Sequence, residues 1–280
     1  MSNLSIYKSE AGEREIQRAY REALDSWPVP AAHVRVPTRE GETFVVVSGP
    51  AGAPPLLLLH GSGANTAMWQ GDVAAWSRHF RVHALDLIGE PGLSAPSRPP
   101  LGSEAYARWL DDVLAGLGIT EITIVGTSLG GWMALDYATR RPERITRLAL
   151  LCPGGVGRQK MGWLAKALLL RPFGAWGMRR SAGAVAGLSA PQFRAALDAV
   201  TLTFTHFTPR TERLPIFSDE ALGRLRMPVL VMVGDRDAMF DSAETARRVR
   251  RCVPHATVEL LPGVGHAILD QTESVLRFLR

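Results

Sequence analysis

A serine at position 128, acids at 235 and 237 and a histidine at 266 stand in this 280-residue chain in an order that can assemble a nucleophile. A serine hydroxyl attacks poorly near neutral pH. It needs an imidazole to take its proton and a carboxylate to hold that imidazole in the right tautomer. Ser128 lies in Gly126-Thr127-Ser128-Leu129-Gly130, between the apolar run Ile122-Thr123-Ile124-Val125 and the helix-compatible Trp132-Met133-Ala134-Leu135. A strand, a sharp turn and a helix in that order hold the central serine in strained geometry, with its hydroxyl thrust clear of the sheet and glycines two residues either side avoiding a clash. In a chain with 27 glycines the pattern alone is weak; the flanking strand and helix make it informative. Asp235 and Asp237 follow the run Val229 to Val233, and His266 follows Val258 to Leu261, so both arrive at the ends of predicted core strands in the chain order Ser, Asp, His.

The elements that must position these residues are legible as periodicity. A helix from about Ser9 to Ser26 is followed by Val34 to Val36 and Thr43 to Val47, which Arg39-Glu40-Gly41-Glu42 joins as a hairpin. Short, predominantly apolar runs of the buried parallel type come next: 56–59, 82–85, 122–125, 148–151, 229–233 and 258–261. Helical patterns at 67–77, 104–117, 131–140, 242–251 and 267–279 separate or follow them. This alternation implies a parallel sheet wrapped by helices, preceded by an antiparallel edge hairpin. The interval from Leu151 to Val229 is too long for an ordinary connection and holds helical patterns of its own, around Gly162 to Leu170 and Gln192 to Phe207. It reads as a cap inserted over the C-terminal ends of the strands, with Met161, Trp163, Phe173, Trp176, Met178, Phe204 and Phe207 available to line an apolar pocket or to form the cap's own core.

Composition narrows the classes. At 46% hydrophobic residues, the chain suffices for one large α/β domain. Met1 to Lys8 lacks a basic leader followed by an apolar stretch, and no apolar run reaches the roughly 18 residues of a membrane span. The expectation is a cytoplasmic protein with no membrane association. Cys152 and Cys252 are too few for a disulfide framework or a structural zinc site, and no cluster of ligands at metal spacing argues for metal-dependent hydrolysis. Net charge is +5, yet residues 153–217 hold nine Lys or Arg against two acids. A solvated helical surface accounts for this, and a basic rim drawing in anionic substrates is the sharper alternative. Nucleic-acid binding is not expected, because no recognised module accompanies the charge.

Taken together, His60-Gly61-Ser62-Gly63, Asp86-Leu87-Ile88-Gly89-Glu90-Pro91-Gly92-Leu93-Ser94, the serine turn, Gly234 to Asp237 and Gly263 to His266 resemble the motifs of an α/β-hydrolase over nearly the whole chain. The Trp-Pro-Val-Pro before the hairpin and the wording around Ile-Gly-Glu are similar to a bacterial carboxylesterase subgroup. The resemblance implies the α/β-hydrolase fold: a mostly parallel eight-stranded sheet flanked by helices, with an inserted helical cap. It divides the chain into a core of residues 1–152 and 219–280, including an N-terminal helical extension at 1–30, and a cap at 153–218. By matched position it makes Ser128 the nucleophile, His266 the general base and then acid, and Asp237 the orienting carboxylate in preference to Asp235. An acyl transfer places negative charge on a carbonyl oxygen, so backbone N–H donors must already face it. Leu129, opening a helix, supplies one; by resemblance Ser62 supplies the second, with Gly63 in reserve, while His60 is structural. Asp86 ties down its loop through local hydrogen bonds, and His206, within the cap, could at most contact substrate.

These readings converge on a serine hydrolase of EC 3.1.1 type that cleaves a carboxylic ester, with no cofactor. Its partner is a small-molecule ester, anionic if the basic rim serves that purpose, and Trp132, Trp163, Phe204 and Phe207 are the candidate substrate contacts. The same residues suit a carbon–carbon bond hydrolase of a diketone or a cofactor-free perhydrolase. From a different class, a ligand receptor or an inactive interaction protein shares the fold. Oligomeric state is left open, a homo-oligomer included.

Overall fold

A computed structural model describes residues 6–163, 169–188 and 190–280. Eight strands form one sheet in the order β1-β2-β4-β3-β5-β6-β7-β8. β1 (Ala31–Thr38) and β2 (Gly41–Ser48) pair antiparallel, and β2 pairs antiparallel with β4 (Arg81–Leu85). From β4 onward every neighbour is parallel, through β3 (Pro55–Leu59), β5 (Ile122–Thr127), β6 (Ile145–Leu151), β7 (Val229–Gly234) and β8 (Thr257–Leu261). The hairpin turn is shorter than the sequence suggested. The ladder closes at Thr38 opposite Gly41, leaving Arg39 and Glu40 as the loop, with Gly41 at φ 99°.

Strands β2 to β7 are buried in the sheet, which explains their apolar runs; the edge strand β8 departs from the buried expectation, with Glu259 in its run and Leu260 exposed to solvent. Leu57 and Leu59 of β3 face a cluster built with α3 (Ala105–Gly116) and α4 (Leu129–Arg140); Leu56 and Leu58 face the other side, against α2 (Gln70–Trp76) and the C-terminal helix. All four leucines are fully buried, each stabilising the fold by about 1.5–3 kcal/mol relative to exposure. The N-terminal helix α1 (Glu10–Asp25) is capped by Ser9, whose hydroxyl accepts the Gly12 N–H, and it buries Ile16, Tyr20 and Leu24 on one stripe. Tyr20 donates to Asp86 at 2.8 Å, so the extension is pinned to the loop after β4.

Between β6 and β7 lie the helices α5 (Gly174–Ala186) and α6 (Arg194–His206) and the single turn α7 (Asp219–Leu222). Of the helix expected around 162–170, residues 164–168 lie outside the described residues. α5 has no counterpart in the sequence reading: glycines at 174, 177 and 183 weaken its helical signal. α8 (Ser242–Cys252) matches its pattern, but the last helix, α9, spans only Thr272–Leu279. The expected start at Ala267 fails because the Ala267 N–H is taken by the carbonyl of Ala186 and Asp270 adopts φ 58°. Among the described residues no helix is long and apolar enough to cross a membrane.

The serine turn closes by backbone contact. A Cβ on Gly130 would lie 2.2 Å from the Leu59 carbonyl oxygen and 2.5 Å from that of His60, and one on Gly126 would lie 2.6 Å from the Gly130 oxygen. Glycine is required here by close approach, since only Ser128 itself, at φ 53°, carries the left-handed strain. Gly130→Ala is therefore expected to destabilise the fold by about 1–3 kcal/mol through overpacking against main chain that cannot move aside. A lowered urea midpoint checks this; an unchanged midpoint would mean that β3 and α4 are free to separate.

Candidate active site

Ser128, His266 and Asp237 come together from the ends of β5, β8 and β7 as one hydrogen-bonded chain. His266 Nε2 lies 3.0 Å from Ser128 Oγ, and His266 Nδ1 lies 2.9 Å from Asp237 Oδ2. The serine backbone is fixed at both ends: its N–H donates to the Leu151 carbonyl, and its carbonyl accepts from Trp132 and Gly154. Asp237 is buried, and its second oxygen, Oδ1, accepts the N–H groups of Met239 at 2.7 Å and Phe240 at 3.0 Å. Burial pushes this carboxyl up, but the hydrogen bond and charge of His266 and the two backbone donors outweigh it and hold the group below the ordinary carboxylate range. Asp235 points elsewhere, accepting the Gly263 N–H at 2.7 Å and so stapling the loop that carries His266. Two neighbours that no motif or periodicity singled out complete this side of the site. Phe240 packs its ring 5.2 Å from the imidazole, and Lys160 Nζ donates to the Asp237 carbonyl.

The turn after β3 borders the same serine, for a Cβ on Gly61 would lie 3.6 Å from Ser128 Cβ. His60 organises it from inside. Its Nδ1–H donates to the Gly61 carbonyl and its Nε2 accepts the Leu87 N–H, an arrangement that requires the neutral ring, and burial lowers its pKa accordingly. The Gly63 N–H donates to Glu90 at 2.6 Å and is thereby committed. Among the described residues no protein acceptor takes the N–H of Ser62 or of Leu129, the first residue of α4. Asp86 does what its type suggests, accepting from Tyr20, Thr66 and Leu93 to fasten the loop that follows it.

The insertion between β6 and β7 reaches both halves of this site. Gly187 packs backbone to backbone on Gly265, next to His266, where a Cβ would lie 2.8 Å away, and the ring of Phe204 on α6 lies against Gly63. Phe204 therefore stands at the turn, and Trp163 is half-buried. The other two candidate contacts are taken up by protein. Trp132 is 1% exposed, stacks on Phe217 and donates to the Pro215 carbonyl, while Phe207 is fully buried with Ile6 and Ile16 under the guanidinium of Arg98. Phe173 and Trp176, expected as possible pocket residues, instead face solvent, and His206 pairs with Glu15 at 3.1 Å to clamp α6 to α1. Several insertion cations are likewise engaged within the protein: Arg158 with Glu244, Arg179 with Asp198 and Arg210 with Glu212.

A buried carboxylate, imidazole and serine in series at the ends of parallel strands, beside the uncommitted N–H groups of Ser62 and Leu129, is an arrangement for attack on a carbonyl carbon. Residues 56–278 match the family model described as "Alpha/beta hydrolase family". The chain belongs to that family. Among its relatives, the uncharacterized carboxylesterase nap of Bacillus subtilis is 31% identical, over 99% of this chain and 97% of its own length. The carboxylesterase YbfK of the same organism is also 31% identical, over 95% and 92% of the two chains. The crystal structure of the naproxen esterase of B. subtilis superposes with a TM-score of 0.82 at 28% identity, with all of both chains covered.

Proposed function

We propose that this α/β hydrolase cleaves a carboxylic ester through an acyl-enzyme on Ser128. The carboxylesterase relatives over nearly the full chain support the reaction class. The observation that carries the mechanism is the Ser128–His266–Asp237 chain at 3.0 and 2.9 Å. Ser128 Oγ attacks the acyl carbon as His266 Nε2 takes its proton. Asp237, accepting the Nδ1–H, fixes the tautomer and stabilises the imidazolium. The oxyanion that forms is held by the N–H groups of Ser62 and Leu129, the latter at a helix N-terminus whose dipole favours negative charge. Collapse of the tetrahedral intermediate breaks the ester C–O bond, and His266 returns the proton to the departing alcohol. Water then attacks the acyl-enzyme by the same route, and release of the carboxylic acid restores Ser128.

Residues 153–218 act as the cap that bounds the acyl pocket, with Phe204 at the oxyanion turn and Trp163 as the second candidate contact. The cations of this segment that are engaged with protein acids do not favour an anionic substrate tail over a neutral acyl chain. Turnover of p-nitrophenyl esters from acetate to decanoate tests the reading. The expected result is activity with a chain-length optimum, and Phe204→Ala is expected to move that optimum to a longer chain. Folded protein that turns over no member of the series would contradict it.

A further inference from the structure

The carboxyl of Glu90 is 1% exposed and, among the described residues, forms no ion pair. Removing a carboxylate from water without a paired cation is costly, so its placement calls for a compensating role. Its Oε2 accepts the Gly63 N–H at 2.6 Å and the Ser62 hydroxyl at 3.2 Å, both in the turn beside Ser128. We propose that Glu90 is a positioning residue of the oxyanion turn, taking up the Gly63 N–H and the Ser62 side chain so that Ser62, and not Gly63, supplies the turn's N–H to the developing charge beside that of Leu129. This rests on the ester-hydrolase reading above, and it resolves that reading's choice of second donor.

The same carboxylate sits where the insertion rejoins the core. Arg98, on the loop after Glu90, donates from Nε to the Gly89 carbonyl and from Nη2 to that of Thr208, and Arg210 donates to the Pro99 carbonyl and the Tyr106 hydroxyl. The charged and titratable groups that act on Glu90 through their fields are these two arginines, Tyr106 from α3 and Tyr7 from the segment before α1; Asp86 also acts on Tyr7. Burial raises the Glu90 carboxyl to about 7, against the downward pull of the Gly63 N–H, Arg98, the Ser62 hydroxyl and Arg210. With the folded value above the unfolded one, near 4.5, the native state holds more protons between the two. Wild type therefore loses stability relative to Glu90→Gln as pH rises from about 4.5 to about 7.

Glu90→Ala and Glu90→Gln test the role. Loss of the turn's anchor is expected to lower kcat in Glu90→Ala by about 10²-fold, the scale of a lost oxyanion donor, with little change in KM. Glu90→Gln, which keeps an acceptor for Gly63, is expected to recover part of that loss. The rate of Ser128 labelling by a fluorophosphonate should fall in parallel, and the melting temperature of Glu90→Gln should gain on wild type across the stated pH window. Unchanged kcat and labelling in both variants would overturn the proposal, as would a rise in KM alone, which would make Glu90 a substrate contact. If Glu90→Ala does not fold, Glu90→Gln decides: a pH-independent melting difference with wild-type kcat refutes the role. The labelling rate also separates the two inferences. Wild type that labels but turns over no ester sinks the ester reading while the variants still test Glu90, and wild type that does neither contradicts both.

Discussion

Ser128→Ala is expected to lower kcat on the best p-nitrophenyl ester by about 10⁶-fold, the loss seen when the nucleophile of a serine triad is removed. The fold should survive, because the serine is held by its main chain: Leu151, Trp132 and Gly154 receive or supply backbone hydrogen bonds that alanine retains. The companion variant Ser128→Gly separates chemistry from strain. Ser128 sits at φ 53° and ψ −108°, a conformation that costs a residue with a Cβ on the order of 1–3 kcal/mol. Glycine relieves it, so Ser128→Gly should be as inactive as the alanine variant and melt higher. Steady-state kinetics and thermal melts on the three proteins check both parts, and a glycine variant that melts well below the alanine one would show that the turn is not strained.

Asp237→Asn is expected to cost about 10⁴-fold in kcat with the geometry otherwise intact. The reason lies in the two sides of the carboxylate. Oδ1 is claimed by the N–H groups of Met239 and Phe240, so the asparagine carbonyl must take that position and its NH₂ must face His266 Nδ1. The imidazole is then driven to the tautomer with its proton on Nε2, which donates to Ser128 and can no longer accept its proton. A stability signature accompanies the rate. Because the Asp237 carboxyl is held below its ordinary value, it contributes stability above the unfolded carboxylate pKa and loses that contribution as pH falls through its folded pKa. The asparagine variant should lack this part of the acid transition, which melts at successive acidic pH values would reveal. Wild-type kcat in Asp237→Asn would return attention to Asp235.

Much of the site was legible because its residues sit where strands end. Apolar runs located β5, β7 and β8, and the polar residues following them had to emerge at one edge of a parallel sheet. That placed Ser128, Asp237 and His266 near one another, and the family resemblance preferred Asp237 over Asp235; the hydrogen bond of Asp235 to Gly263 explains why the two acids diverge. The insertion was less legible. Helix propensity missed the glycine-rich α5, and aromatic residue type could not distinguish Phe204, against the oxyanion turn, from Phe207, packed under α1, or from Trp176, turned to solvent. These differences depend on which face of a short helix meets another element, and no local periodicity encodes that partner. Glu90 escaped for a related reason. In a loop rich in glycine and proline, an acid reads as a surface residue, and only the fold brings the Ser62–Gly63 turn onto it.

The most direct test of the account is to mix the protein with a p-nitrophenyl ester, quench within the first turnovers and locate the added mass by peptide mass spectrometry. An acyl group on the peptide containing Ser128, formed in step with a burst of p-nitrophenolate and absent from Ser128→Ala, is the predicted result. Ester turnover that persists in Ser128→Ala, or an acyl group carried on another residue, would contradict it.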